Sequence, residues 1–143
     1  MREQTNTLKI INAVAPGTYA ADATPVEIDR LGFGSITFAI GVGVGGITFS
    51  GTNKIEFKLE ASDDGDTWAP VPASQIAGLE VATDDGIVLA FKTAHAAASE
   101  HQFGYIGDAR HLRITPDFSG THGTGTGLSV VAVLGRSLHS PAA

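Results

Sequence analysis

The chain has 143 residues, a formal net charge of −6, 18 glycines, 43% hydrophobic residues and no cysteine. That length bounds it to one domain with a real core, and that hydrophobic fraction excludes global disorder. The missing cysteines exclude a disulfide framework, thiolate metal sites and a cysteine nucleophile, and the negative charge argues against nucleic acid or an anionic membrane as partner.

The first residues, Met1–Thr7, carry Glu3 and no apolar h-region, so no signal peptide is expected. The longest apolar stretch, Ile36–Phe49, is interrupted by glycines and too short to span a bilayer. A soluble protein made in the cytoplasm is expected from this reading.

In chain order, Leu8–Val14 predicts a strand ended by the turn pair Pro16-Gly17, and Val26–Ile28 a brief strand. Ser35–Val44 is the clearest strand, with Ile36, Phe38, Ile40, Val42 and Val44 on one face and Thr37, Ala39, Gly41 and Gly43 on the other. The small-residue face suggests close approach of another sheet or subunit. Lys54–Ala61 alternates Ile55, Phe57, Leu59 and Ala61 inward with Lys54, Glu56, Lys58 and Glu60 outward. With the turn Ser62–Asp66 and the return strand Thr67–Val71 it forms a hairpin, with Trp68 and Val71 as packing residues.

Pro72–Ala82 predicts a short helical turn with Ser74 as its cap, and Ile87–Lys92 a strand after the turn Asp84-Asp85-Gly86. Thr93–Glu100 is alanine-rich but lacks an apolar face, so an ordered loop is expected. Gln102–Gly107 and Arg110–Pro116 read as a strand pair around Asp108-Ala109, and Phe118–Gly127 as a hairpin tip. Leu128–Gly135, apolar on both faces, reads as a central strand. The expected fold is all-β: a single-domain antiparallel β-sandwich or barrel, jelly-roll-like, with about eight short strands and long Gly/Thr-rich loops. It spans residues 1–143, with arms at 1–7 and 137–143.

Candidate chemistry is sparse. His95, His101, His111, His122 and His139 lack the i, i+2 or i, i+4 spacing of a metal site and read as surface histidines, with a zinc site assembled from distant loops as the remote alternative. Asp63–Asp66 and Asp84–Gly86 are turns, because a calcium loop needs alternating oxygen ligands and a distal glutamate. Ser62–Trp68 resembles the Asp-box of sialidases but is one residue short and occurs once. Gly41–Gly46 lacks the lysine and helix of a phosphate cradle, and no Gly-x-Ser-x-Gly is present. No catalytic, metal or cofactor residue is therefore expected, and the chain reads as a non-enzyme.

Four stretches in order carry a family resemblance: Leu31–Ser35 (LGFGS), Lys58–Trp68 (KLEASDDGDTW), Gly104–Arg113 (GYIGDARHLR), and Val131–Arg136 (VAVLGR) with the tail Ser140–Ala143. Together they resemble a family of small tailed-phage and prophage virion structural proteins; the loops Gly45–Asn53 and Phe118–Gly127 depart from the pattern. The resemblance implies a non-enzymatic virion component, a capsid decoration or cement protein on the capsid surface, with the major capsid protein as partner and self-association into a homo-oligomer. The alternatives are a head fibre, vertex, tail or connector component with host-glycan binding through loops, and a stand-alone binding module or motif-free enzyme. Interfaces are expected at the two termini and along the strand Ser35–Val44: Leu8, Ile10, Ile36, Phe38, Ile40, Leu138, His139 and Pro141. One arm is expected to extend over an adjacent subunit.

Overall fold

The computed structural model describes residues 4–138, as two antiparallel five-stranded sheets packed face to face and not closed into a barrel. There are ten strands rather than eight: β1 (Lys9–Tyr19), β2 (Ile28–Asp29), β3 (Phe33–Val42), β4 (Lys54–Ser62), β5 (Ala69–Pro70), β6 (Ile76–Ala77), β7 (Ile87–Phe91), β8 (Ser99–Tyr105), β9 (His111–Ser119) and β10 (Thr126–Ser137). The first sheet has the order β1-β10-β3-β8-β6; the second has β2-β9-β4-β5, with β7 also paired to β4.

Period-2 alternation positions the core. Ile36, Phe38 and Ile40 of β3 face the second sheet and are buried, as are Val130, Ala132 and Leu134 of the neighbouring β10. Phe38 stacks on Phe103, its register partner on β8, with ring centroids 5.0 Å apart. The second sheet answers with Ile55, Phe57 and Leu59 on β4 and Leu112 and Ile114 on β9. Ile36, Phe38 and Ile40, expected at an interface, are thus core residues. Their apolar side chains are satisfied inside the chain, and β3 shows solvent its other face, Thr37 and Ala39.

β10 is central in its sheet, as its apolar run predicts. The outward face of β4 carries charges held by neighbours: Lys54 lies 2.8 Å from Glu56, and Arg113 Nε lies 3.1 Å from Glu60. Arg113 also sits 4.3 Å above the Trp68 ring. Trp68 is therefore half-buried on the outer surface rather than in the core; its flat face is covered by a cation, which aromatic rings attract.

Three expectations fail for identifiable reasons. Pro16-Gly17 does not end β1; the strand runs on to Tyr19 through register shifts between Asn12 and Val14 and between Val14 and Gly17. An edge strand tolerates proline and bulges because its outer N–H groups need no partner strand. The Tyr19 hydroxyl bridges the irregularity by donating to the Ala15 carbonyl at 2.6 Å. Secondly, Gln102–Gly107 and Arg110–Pro116 are not a hairpin, because β8 and β9 belong to different sheets. Of the expected tip Phe118–Gly127, residues 120–125 form a crossover between the sheets for the same reason, and the rest belongs to β9 and β10. Thirdly, Ser74 does not cap its turn: Ala73–Gln75 is one 3-10 turn, and the Ala73 N–H donates instead to Asp84 Oδ1 at 2.9 Å. Thr93–Ala98 is irregular, as expected, and the Ser62–Trp68 turn joins β4 to β5 as the predicted hairpin.

Candidate interaction surface

The four resembling stretches lie far apart in sequence, yet the topology brings parts of all four to one end of the sandwich. That end carries the turn between β2 and β3, the turn between β4 and β5, the β8–β9 crossover and the end of β10.

Arg30 holds this end together. Its Nε donates to the Ala109 carbonyl at 2.5 Å and its Nη2 to the Gly107 carbonyl at 2.7 Å. The guanidinium lies 5.0 Å over the Tyr105 ring, whose hydroxyl accepts the Ala109 N–H at 3.1 Å. The planar fork of arginine suits two carbonyls better than lysine's single ammonium would. Gly107 is required by space: a Cβ there would run into the Tyr105 hydroxyl and Gln75 Oε1. Arg110 grips Asp29 with two hydrogen bonds, at 2.8 and 2.7 Å, and Asp29 Oδ1 also accepts the Leu31 N–H. The Arg110 hydrogen bond, helped by the Leu31 N–H, holds the Asp29 carboxyl well below the usual carboxylate range. In Gly104–Arg113, then, Tyr105, Gly107 and Arg110 build the crossover, while Ile106 is left pointing at solvent.

The turn Ser62–Trp68 is equally self-contained. Asp64 Oδ1 accepts the N–H groups of Asp66 and Thr67 at 2.8 Å each and the Ser62 hydroxyl at 2.9 Å. These bonds, Thr67's first, lower the Asp64 pKa to about 2. Nearby, His111 Nδ1 lies 2.7 Å from Glu27 Oε1, at ion-pair distance but not aligned as a hydrogen bond.

What the end offers a partner is apolar. Ile10, Leu31, Ile106 and Leu138 are between 64% and 71% exposed, and they account for four of the six large exposed hydrophobics among the described residues. Leu138 is tied beside Leu31 through its N–H to the Gly32 carbonyl at 2.8 Å. β8 pairs with β3 only from Thr37 onward. The seam left along Phe33–Ile36 is a cleft of about 570 Å³ lined by Arg30, Phe33, Ile106 and Arg136 among others. Arg136 is the one non-glycine among the described residues with positive φ, at 51°, and makes no ion pair there.

Of the expected interface residues, Ile10 and Leu138 fall on this surface. Leu8 is half-buried, its Cδ2 close over Gly135, so its own chain accounts for part of its apolar area. His139 and Pro141 lie outside the described residues. Leu31 and Ile106, not among the expected interface residues, are exposed here too; both sit inside the quoted motifs, and the available signal was an apolar residue directly followed by glycine.

The fold defines the class: an antiparallel β-sandwich. No protein-family model matches the chain, and no curated protein matches its sequence. Among solved structures it is similar to the SPBc2 prophage-derived protein YomS, at 12% identity and TM-score 0.45, covering 89% of this chain and 91% of that one. It is also similar to the catalytic domain of a GH87 α-1,3-glucanase, at 14% identity and TM-score 0.32, spanning 30% of that chain. Neither likeness is close enough to carry a function across.

Proposed function

We propose that this chain is a non-enzymatic structural protein of a tailed-phage virion, docking on the major capsid protein as a decoration protein. The observation that carries the reading is the convergence of the four resembling stretches on one end of the sandwich. Asp64 and Arg110 of these stretches are consumed in building that end, with Arg30 and Asp29 beside them, and Leu31 and Ile106 are presented to solvent at the same end as Ile10 and Leu138. Clustered exposed apolar side chains with a polar surround mark sites of protein association. The left-handed backbone at Arg136, beside the same cleft, is a local cost of the kind that functional surfaces retain.

The test is add-back of purified protein to particles assembled without it, followed by sedimentation. Wild type co-sediments, whereas Ile106→Asp and Leu31→Asp remain in the supernatant with unchanged melting temperatures. Equal co-sedimentation of wild type and both variants would overturn the assignment of this surface, and failure of wild type to bind would overturn the role.

A further inference from the structure

The first sheet is split where it meets the proposed docking surface. β10 runs beside β3 from Val42 to Phe33, whereas β8 pairs with β3 only from Val42 to Thr37. Beyond Thr37 the end of β8 is drawn towards β6: Tyr105 pairs with Ile76, and the Ile106 N–H donates to the Gln75 carbonyl at 2.9 Å. Along Phe33–Ile36, β3 therefore has one edge paired and no strand on the other edge among the described residues. On this stretch the Phe33 N–H donates to the Arg30 carbonyl of the preceding turn at 3.1 Å. The space between the diverging strands is the 570 Å³ cleft, lined by Phe33–Thr37 on one wall and Gly104–Asp108 on the other. An open strand edge is a template on which a further strand can pair.

The cleft is also positive, on a chain whose net charge is −6. Its charged lining is two guanidiniums, Arg30 and Arg136, and one carboxylate, Asp108. Arg30 gives its hydrogen bonds to two neutral carbonyls, so no acid balances its charge there. The Arg136 guanidinium has no ion-pair or hydrogen-bond partner among the described residues. Its side chain runs across Gly34: a Cβ on that glycine would stand 3.3 Å from Arg136 Cβ and 3.9 Å from its Nε. Arg136 holds φ at 51°, a conformation that glycine adopts freely and arginine does not.

We propose that this cleft takes an extended peptide segment carrying an acidic side chain, added as a strand to the free edge of β3 at Phe33–Ile36 with its carboxylate on Arg136. The segment's main chain supplies the donors and acceptors that the edge lacks, and a carboxylate matches the arginine fork. Ile106, 64% exposed on the far wall, meets an apolar side chain of the segment. Four residues of edge span about 13 Å, enough for a few main-chain bonds, so an isolated segment binds weakly. That the segment comes from the capsid partner rests on the proposed docking role; the chemistry of the cleft does not.

The probe is the blocked peptide Thr-Val-Glu-Val-Thr, whose β-branched residues favour the extended form. It is titrated into the isotope-labelled full chain and followed by amide NMR shifts, beside the same peptide with lysine in place of glutamate. Saturable shifts are expected at Phe33–Thr37, Gly104–Asp108 and Arg136, with a dissociation constant of about 0.1–1 mM and at least about tenfold weaker binding of the lysine peptide. Arg136→Gly accepts the left-handed backbone, so its melting temperature should equal or exceed that of wild type while the acidic peptide binds about tenfold more weakly. On particles, hydrogen exchange of the added-back protein should slow at Gly34–Ile36. No saturable shift below about 5 mM, shifts confined to other surfaces, or equal binding of the two peptides would overturn the site. Particle binding with unchanged exchange at Gly34–Ile36 would overturn strand addition by the capsid partner and leave the docking role standing. Peptide binding at the cleft without particle binding would uphold the site and overturn the docking role.

Discussion

Arg30 and Asp64 each satisfy several main-chain groups with one side chain, and both lie in turns where the main chain has no strand to pair with. Arg30→Lys keeps the charge but loses the fork to two carbonyls. It should cost about 2 kcal/mol in denaturant unfolding, because hydrogen bonds from charged groups are worth about 1.5–3 kcal/mol each. Asp64 works through its ionised form. Its folded pKa of about 2 lies below the ordinary aspartate value of 3.8, so its contribution is complete above that value and is lost as pH falls towards 2. Asp64→Asn should therefore lower the melting temperature at neutral pH and flatten the acid limb of a melting-temperature profile. Asp117 has the opposite sign. Burial, followed by the charges of Asp22 and Glu56, raises its pKa, so its ionised form opposes folding and stability falls as pH rises through that range. Asp117→Asn should raise the melting temperature at neutral pH and change it less in acid.

At the scale of elements, alternation was legible and partnership was not. The faces of β3, β4 and β9 follow from period-2 spacing, and the buried side of each is the side its apolar residues predict. Nothing in Gly104–Arg113 says that its two strands enter different sheets. A crossover and a hairpin use the same turn residues; what distinguishes them is the pairing, β8 with β3 and β6, β9 with β2 and β4. The same limit explains Phe38: an apolar strand face reads alike whether a second sheet or a second subunit covers it. Phe38→Ala should cost about 3–5 kcal/mol, as expected for a buried aromatic, whereas Leu31→Asp should leave stability within about 0.5 kcal/mol of wild type. Urea unfolding separates the two. The glycines of Gly41–Gly46, dismissed as a phosphate cradle, have a packing role at Gly46, where a Cβ would collide with the Gly125 carbonyl. Gly46→Ala should destabilise by about 2 kcal/mol or more through displacement of the crossover that contains His122. That histidine, expected at the surface, is buried against Phe118 with its Nε2 donating to the Ser119 carbonyl at 2.8 Å. Its single sequence position gave no sign of this.

The whole molecule is asymmetric in two ways. The outer face of the first sheet is small and uncharged at Thr37, Ala39 and Val131, whereas the outer face of the second is covered by ion pairs. One end is apolar and tightly clamped; the other holds glycine-rich loops and histidines. A body of this kind presents different chemistry in each direction, which suits a subunit that must sit on a surface in one orientation. Each of the four resembling stretches places residues at one end of the sandwich. The central claim, that this chain is a component spread across a capsid lattice, is tested most directly by quantitative mass spectrometry of purified particles, scaled to the major capsid protein. A copy number within a small factor of that protein's is expected; absence from the particles, or a ratio of only a few copies per hundred, would contradict the proposed role.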